Sequence, residues 1–240
     1  MNVTSVMRKA AVGGLMATTG LLALTTVPAG AAPEDVTPDC DEVKCVALTF
    51  DDGPGEYTGR LLDMLDAHDA RATFYLLGSN VADHPNEVER MVKTGHEVGS
   101  HSWRHDDLTT LSGEEIEKDL ERTDKAIEDV TGQTPATLRP PYGAVDDTVR
   151  EAADRPLILW DVDTEDWKNR DPGTILDIAD RDSGEGSIVL FHDIHQTTVD
   201  AIPAVLDRLT DEGYTFVTVS ELMGDDLDQG TAYTDARSQD

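Results

Sequence analysis

Cys45-Val46-Ala47-Leu48-Thr49-Phe50-Asp51-Asp52-Gly53-Pro54 is the stretch on which the fold turns. Its apolar run, 45–50, has the length and content of a buried strand. Two adjacent acids follow, and Gly53-Pro54 turns the chain at once. Neighbouring carboxylates at a strand end repel each other and pack against nothing. Two readings fit them: a solvated acidic turn, or a pair facing a positive partner, for which a metal ion is the natural candidate.

Outward from this run, strand-like and helix-like segments alternate. The pattern predicts strands at 45–50, 72–77, 97–100, 136–139, 157–161, 187–191 and 215–219, with helices at 58–67, 86–94, 113–130, 146–153, 173–180 and 199–211. The helix at 113–130 is the best marked. Ser112 and Glu115 form a capping box, Ile116, Leu120, Ile127 and Val130 make a buried stripe, and Gly132 ends it. Strands alternating with helices predict an α/β fold with a parallel sheet. Polar residues stand at several strand ends: Asp51 and Asp52, His101, Arg139, Asp161 with Asp163, and His192. Convergence of such ends on one face is the mark of a β/α barrel, and an open doubly wound sheet is the alternative. The spread of polar ends and the short chain predict a distorted parallel (β/α) barrel of about seven strands.

The chain has 240 residues, 38% of them hydrophobic, and a formal net charge of −30 from 49 acids against 19 Lys plus Arg. That balance excludes nucleic acid and anionic membrane surfaces as partners and fits an exterior that meets high salt. Residues 1–32 read as a cleaved secretion signal: Arg8 and Lys9, a Gly/Thr-diluted apolar stretch, then Ala29-Gly30-Ala31. A secreted bacterial protein with no retained membrane segment, acting as a monomer, is expected. Residues 33–44 are expected to form an extended lead-in, 45–223 a single domain, and 224–240 an acidic, frayed tail. Cys40 and Cys45 are expected to pair in an oxidising compartment.

Four further motifs carry chemistry. His101-Ser102-Trp103-Arg104-His105 places two imidazoles four residues apart, on one face if the segment is helical. With one carboxylate they would hold a metal and leave a position open, while the second acid of Asp51-Asp52 takes a proton. Arg139-Pro140-Pro141-Tyr142-Gly143 is a rigid loop that either aims a backbone N–H at an oxyanion or is structural only. Trp160-Asp161-Val162-Asp163-Thr164-Glu165-Asp166-Trp167 brackets acids with tryptophans, as in a sugar groove, or buries the tryptophans beside a solvated loop. Strand 187–191 delivers His192, placed to donate a proton, whereas His195 reads as a surface or supporting residue.

Taken together, Thr49–Pro54, His101-Ser102-x-x-His105, Arg139-Pro-Pro-Tyr-Gly143, Asp163-x-x-Asp166-Trp167 and Leu190-x-His192 resemble the five ordered motifs of the polysaccharide deacetylase family, the NodB-homology enzymes of carbohydrate esterase family four. The resemblance spans roughly residues 43–223. It implies a distorted β/α barrel and a divalent metal, zinc first, on Asp52, His101 and His105. It implies Asp51 as general base oriented by Arg139, and the Tyr142 backbone N–H at the oxyanion. His192 would be the general acid tuned by Asp166, with Trp167 and Leu190 lining the acetyl pocket.

The reaction implied is removal of N-acetyl groups from N-acetylglucosamine-containing polysaccharide or oligosaccharide, such as chitin oligomers or peptidoglycan. O-deacetylation of acetylxylan is the alternative on the same site. A secreted carbohydrate-binding protein without catalysis is the alternative of a different class, as is an acidic calcium-binding protein.

Overall fold

The computed structural model of the chain describes residues 1–2, 37–224 and 226–239. The secretion signal expected over 1–32 falls almost wholly outside the described residues. Those from Thr37 onward pack as one unit. In chain order the elements are β1 (Cys45–Asp51), α1 (Thr58–Ala67), β2 (Thr73–Leu76), α2 (Gly78–Val81), α3 (Pro85–Lys93), β3 (Glu97–Ser100), α4 (Gly113–Thr131) and α5 (Asp147–Ala153). There follow β4 (Leu157–Ile158), β5 (Val162–Asp163), α6 (Asp166–Asn169), α7 (Pro172–Asp182), β6 (Ile188–His192), α8 (Gln196–Asp211), β7 (Thr215–Phe216), α9 (Val219–Met223) and β8 (Ala232–Tyr233).

The sheet runs β3-β2-β1-β6-β5, with β7 beside the start of β1, and the pairings between these strands are parallel. Single bridges at Leu138 join Ser100 to Leu157 and so carry the ring from β3 to β4. The result is the expected distorted barrel. Side chains alternate across its wall. Along β1, Val46, Leu48 and Phe50 face the helices, and Cys45 and Ala47 face the interior. Phe50 stacks between Phe74 and Phe191, its register partners, at centroid distances of 5.3 and 5.5 Å. The interior column then continues through Thr49 to Asp51, which is why an acid ends up inside the mouth of the barrel.

Helix α4 follows its sequence signals. The Ser112 N–H donates to the Glu115 carboxylate at 2.9 Å, Ile116, Leu120 and Ile127 are buried, and Gly132 closes the helix at φ 74°. Cys40 and Cys45 form the expected disulfide, which ties the lead-in to β1.

Four expectations need correction. The strand at 136–139 contracts to the bridge at Leu138, because Pro135 and Pro140 on either side lack N–H donors. The strand at 157–161 breaks after Ile158, where the Ile158 and Leu159 carbonyls turn to the Arg139 guanidinium. The strand at 215–219 ends at Phe216, since Thr218 caps α9.

The fourth correction concerns the tail. Residues 224–240 are not simply frayed: β8 runs parallel beside β4, Tyr233 is buried, and Asp235 bridges to Ser187. The acid count hid a strand that covers the open edge of β4.

Candidate active site

Five strand ends meet at one mouth. Asp51 and His192 are register partners across β1 and β6. Leu190 lies two residues before His192, on the same face of β6. His101 follows β3, and Arg139 follows the Leu138 bridge, with its N–H on the Ser100 carbonyl at 2.9 Å. A cavity of about 380 Å³ is lined by Asp51, Asp52, His101, His105, Tyr142, Trp160, Asp163, Trp167, Leu190 and His192. All ten sequence-derived site residues are therefore accounted for: eight line the cavity, and Arg139 and Asp166 stand directly behind it.

The two acids are not equivalent. Asp51 is buried, and its Oδ1 accepts from Arg139 Nη1 at 2.8 Å. Arg139 is 0% exposed and has every face occupied. Its Nη1 also donates to Thr49 Oγ1 at 2.7 Å, Nε to the Ile158 carbonyl at 3.0 Å and Nη2 to the Leu159 carbonyl at 2.7 Å. The Tyr75 ring lies 4.3 Å from the guanidinium carbon, a cation–π contact. A guanidinium held in this way fixes one oxygen of Asp51 and leaves Oδ2 toward the cavity, 3.7 Å from His101 Nε2.

Asp52 turns the other way. It sits at φ 70°, with its carbonyl taken by Asn80 Nδ2 at 3.1 Å. Its Oδ1 is 3.6 Å from His101 Nε2 and 3.6 Å from His105 Nε2. Among the described residues this buried oxygen has no hydrogen-bond partner. His101 Nδ1–H donates to the Arg139 carbonyl at 2.6 Å, so its Nε2 lone pair faces Asp52. Burial holds the His101 imidazole below its ordinary pKa against the pull of Asp51 and Asp52, and hence in the neutral form that binds metals.

One carboxylate oxygen and two imidazole nitrogens within 4.8 Å of one another fit a divalent cation. Zinc bonds of about 2.0–2.1 Å in a tetrahedron set ligand atoms about 3.3 Å apart, close to what these three residues present. The segment is not helical, so the histidines converge by another route than a shared helix face. They meet across a turn in which Ser102 (φ 69°) and His105 (φ 65°) are left-handed, pinned by the His105 N–H on Ser102 Oγ at 3.0 Å.

Across the cavity His192 Nδ1–H donates to Asp166 Oδ1 at 2.8 Å. Asp166 also accepts from the His192 N–H, Thr198 Oγ1 and the Trp167 N–H, which satisfies a carboxylate with no solvent exposure. Burial alone would lower the His192 pKa; the hydrogen bond and charge of Asp166, with Asp51 and Asp52, outweigh it and raise the ring to about 9. Burial alone would raise Asp166, and its bonds to His192 and Thr198 instead hold it below the usual carboxylate range. His195 stands at the residue before α8, with its ring 6.2 Å from that of His192, and does not line the cavity.

The two tryptophans divide between the two readings given to them. Trp160 packs against the inner core, and Trp167 is 49% exposed at the rim. Tyr142 is 68% exposed, sits at φ 62° and lays its ring edge-on to His105 at 4.4 Å. Asp161 does not line the cavity and instead accepts from Ser187 and the Ile188 N–H at the start of β6 and from Arg237 in the tail. Sequence reasoning missed Asp193, a fully buried acid next to His192 whose pKa burial pushes up to about 7. Its signal in the sequence was an acid directly after His192 at a strand end.

Residues 39–156 match the family model described as polysaccharide deacetylase. A peptidoglycan-N-acetylglucosamine deacetylase of Listeria monocytogenes, PgdA, is 47% identical over 193 residues, covering 80% of this chain and 41% of that protein. The chain thus spans about two fifths of that relative's length. A peptidoglycan-N-acetylglucosamine deacetylase of Bacillus cereus is 35% identical over 196 residues, covering 75% of this chain and 71% of that one. The solved structure of the peptidoglycan deacetylase PdaC from Bacillus subtilis aligns with a TM-score of 0.75 at 45% identity, over 77% of this chain and 92% of that one. Fold, motif order and these likenesses agree: the chain belongs to the polysaccharide deacetylase family.

Proposed function

We propose that the chain is a secreted, metal-dependent deacetylase that hydrolyses N-acetyl groups of N-acetylglucosamine-containing glycans, peptidoglycan or chitin oligomers, and releases acetate. The observation that carries this reading is the split of the two acids: Asp51 locked by Arg139, Asp52 facing two imidazoles, both in one cavity with His192. The PgdA and PdaC likenesses support an N-acetylated wall glycan as the substrate class. We further infer a signal peptide over 1–32, a catalytic domain over 45–223 and a monomer in solution. No helix among the described residues is long and apolar enough to cross a membrane.

Asp52, His101 and His105 would hold the metal, zinc first, which when bound supplies carbonyl polarisation and a water of lowered pKa. Asp51 Oδ2, the oxygen Arg139 leaves free, accepts the proton of the attacking water. The Tyr142 N–H donates to the oxygen that gains charge. His192 keeps Nδ1–H on Asp166 and gives its Nε2 proton to the departing sugar amine. Leu190, on the cavity floor, and Trp167, at its rim, enclose the acetyl methyl and exclude water.

Acetate release from N-acetylated chitin oligomers, peptidoglycan and acetylxylan, with and without chelator, tests this. Chelator-sensitive release from the N-acetylated substrates is expected. Release from acetylxylan alone would move the activity to esters, and no release from any of the three would refute the enzyme reading.

A further inference from the structure

Asp193 is a buried acid that the proposed chemistry does not use. It does not line the cavity. It lies behind the loop 52–55 that carries Asp52. One hydrogen bond, its continuation to the loop and one close approach define its place. Its Oδ2 accepts a hydrogen bond from Thr58 Oγ1, at the start of α1. Thr58 Oγ1 in turn accepts the Gly55 N–H at 2.8 Å. A Cβ on Gly53 would stand 2.7 Å from Asp193 Oδ1, and its three nearest atoms would all belong to the Asp193 carboxyl.

The loop is thus held from two sides. From β2 and α2, the Leu77 N–H donates to the Gly53 carbonyl at 3.0 Å, and Asn80 takes the Asp52 carbonyl. From the end of β6, the Asp193 carboxyl lies so close against Gly53 that a Cβ there would meet it. Asp52 between them is left-handed, a strained conformation that persists where its surroundings enforce it. Burying a carboxyl whose Oδ1 has no hydrogen-bond partner among the described residues is itself costly, so a local role must offset it.

We propose that Asp193 is a positioning residue: its carboxyl seats Gly53 and ties it through Thr58 to α1, so that Asp52 stays where His101 and His105 converge. The same residue adjoins His192, so one buried group registers the metal-side acid against the proton donor. This inference rests on the metal-site reading above. It adds a residue outside the ligand set that sets metal affinity.

The test is zinc affinity, measured by competition with a chromophoric chelator, together with kcat and KM. Asp193→Ala should bind zinc about tenfold more weakly or worse, as for lost supports of metal ligands, with kcat falling more than KM moves. Asp193→Asn, which keeps the shape and an acceptor for Thr58, should retain most of the affinity. Thr58→Val, isosteric and milder for folding, should weaken zinc in the same direction. Gly53→Ala should lose zinc in the parent background and regain part of it when combined with Asp193→Ala, a coupling that merely structural damage would not give. Parental zinc affinity and kcat in both Asp193→Ala and Thr58→Val would overturn the inference, as would a Gly53→Ala penalty indifferent to Asp193. Failure of the parent protein to bind zinc would instead overturn the metal-site reading, and this inference with it.

Discussion

Arg139 Nη1 donates to Asp51 Oδ1 at 2.8 Å, with both side chains buried and the guanidinium also bridging the Ile158 and Leu159 carbonyls. A pair removed this far from water cannot be loosened without cost, because either charge left alone stays desolvated. It therefore gives Asp51 a single orientation, and the free oxygen is the one that faces the cavity.

Arg139→Lys follows from this geometry. An ammonium cannot span Asp51, Thr49 and two carbonyls at once. The variant should lose about 3 kcal/mol of stability by denaturant unfolding and at least tenfold in kcat. Its zinc affinity should change little, since the contact with His101 is made by the Arg139 carbonyl. Unchanged kcat would show that Asp51 needs no orienting partner.

The His192–Asp166 pair sets a pH dependence. In the proposed reaction the acid form of His192 is the working one, and against the effect of burial the Asp166 hydrogen bond and charge raise its pKa to about 9. Activity should hold through neutral pH and fall as pH rises through about 9. The stability that the pair contributes is complete below the ordinary histidine pKa and is lost over the same alkaline rise. Asp166→Asn removes the facing charge and should move the alkaline limb of kcat toward neutrality. A limb that stays put in Asp166→Asn would mean that another group donates the proton.

Much of this site was legible because its chemistry sits at strand ends. Asp51, His101 and His192 each follow a readable strand, and barrel geometry forces such ends together. Asp166 was legible only through the family motif, since a short helix and not a strand delivers it. Asp193 was not legible because its meaning depends on Thr58, 135 residues away in sequence. The conformation of the turn bearing His105 was not legible, because the H-x-x-x-H spacing fits a helix and a left-handed turn alike. The tail was misread because its acids outnumber its apolar residues, whereas the fold uses only Tyr233 and its neighbours to cover β4.

His96 predicts acid sensitivity away from the site. It is buried against the Phe74 ring, accepts the Ala72 N–H on Nδ1 at 3.2 Å, and has no partner at Nε2 among the described residues. Burial lowers its pKa to about 4. The unfolded chain takes up this proton near pH 6.5 and the folded protein does not, so stability falls as pH drops below 6.5. By pH 5 the loss attributable to His96 is about 2 kcal/mol. His96→Asn, which keeps an acceptor for Ala72, should be less stable than the parent at pH 7, with the gap narrowing by that amount at pH 5. A constant gap across this range would show that His96 titrates freely in the folded state.

The tail carries the last prediction. The Leu157 N–H donates to the Thr231 carbonyl at 2.9 Å and the Leu159 N–H to the Tyr233 carbonyl at 2.7 Å. Arg237 Nη2 reaches Asp161, and the Ala236 N–H reaches the Gly186 carbonyl. These bonds hold the segment whose Ile158 and Leu159 carbonyls cradle Arg139. Removing 225–240 should therefore lower Tm by roughly 5 °C or more and reduce kcat through Asp51. Zinc affinity should suffer less, because Asp52, His101 and His105 hang from β1 and β3. Tyr233→Ala, which empties a buried site and leaves the backbone bonds possible, should reproduce the loss of Tm with a smaller loss of kcat. If the truncated protein keeps parental kcat at a temperature where it is fully folded, the path from tail to Arg139 is not functional and β8 serves stability alone.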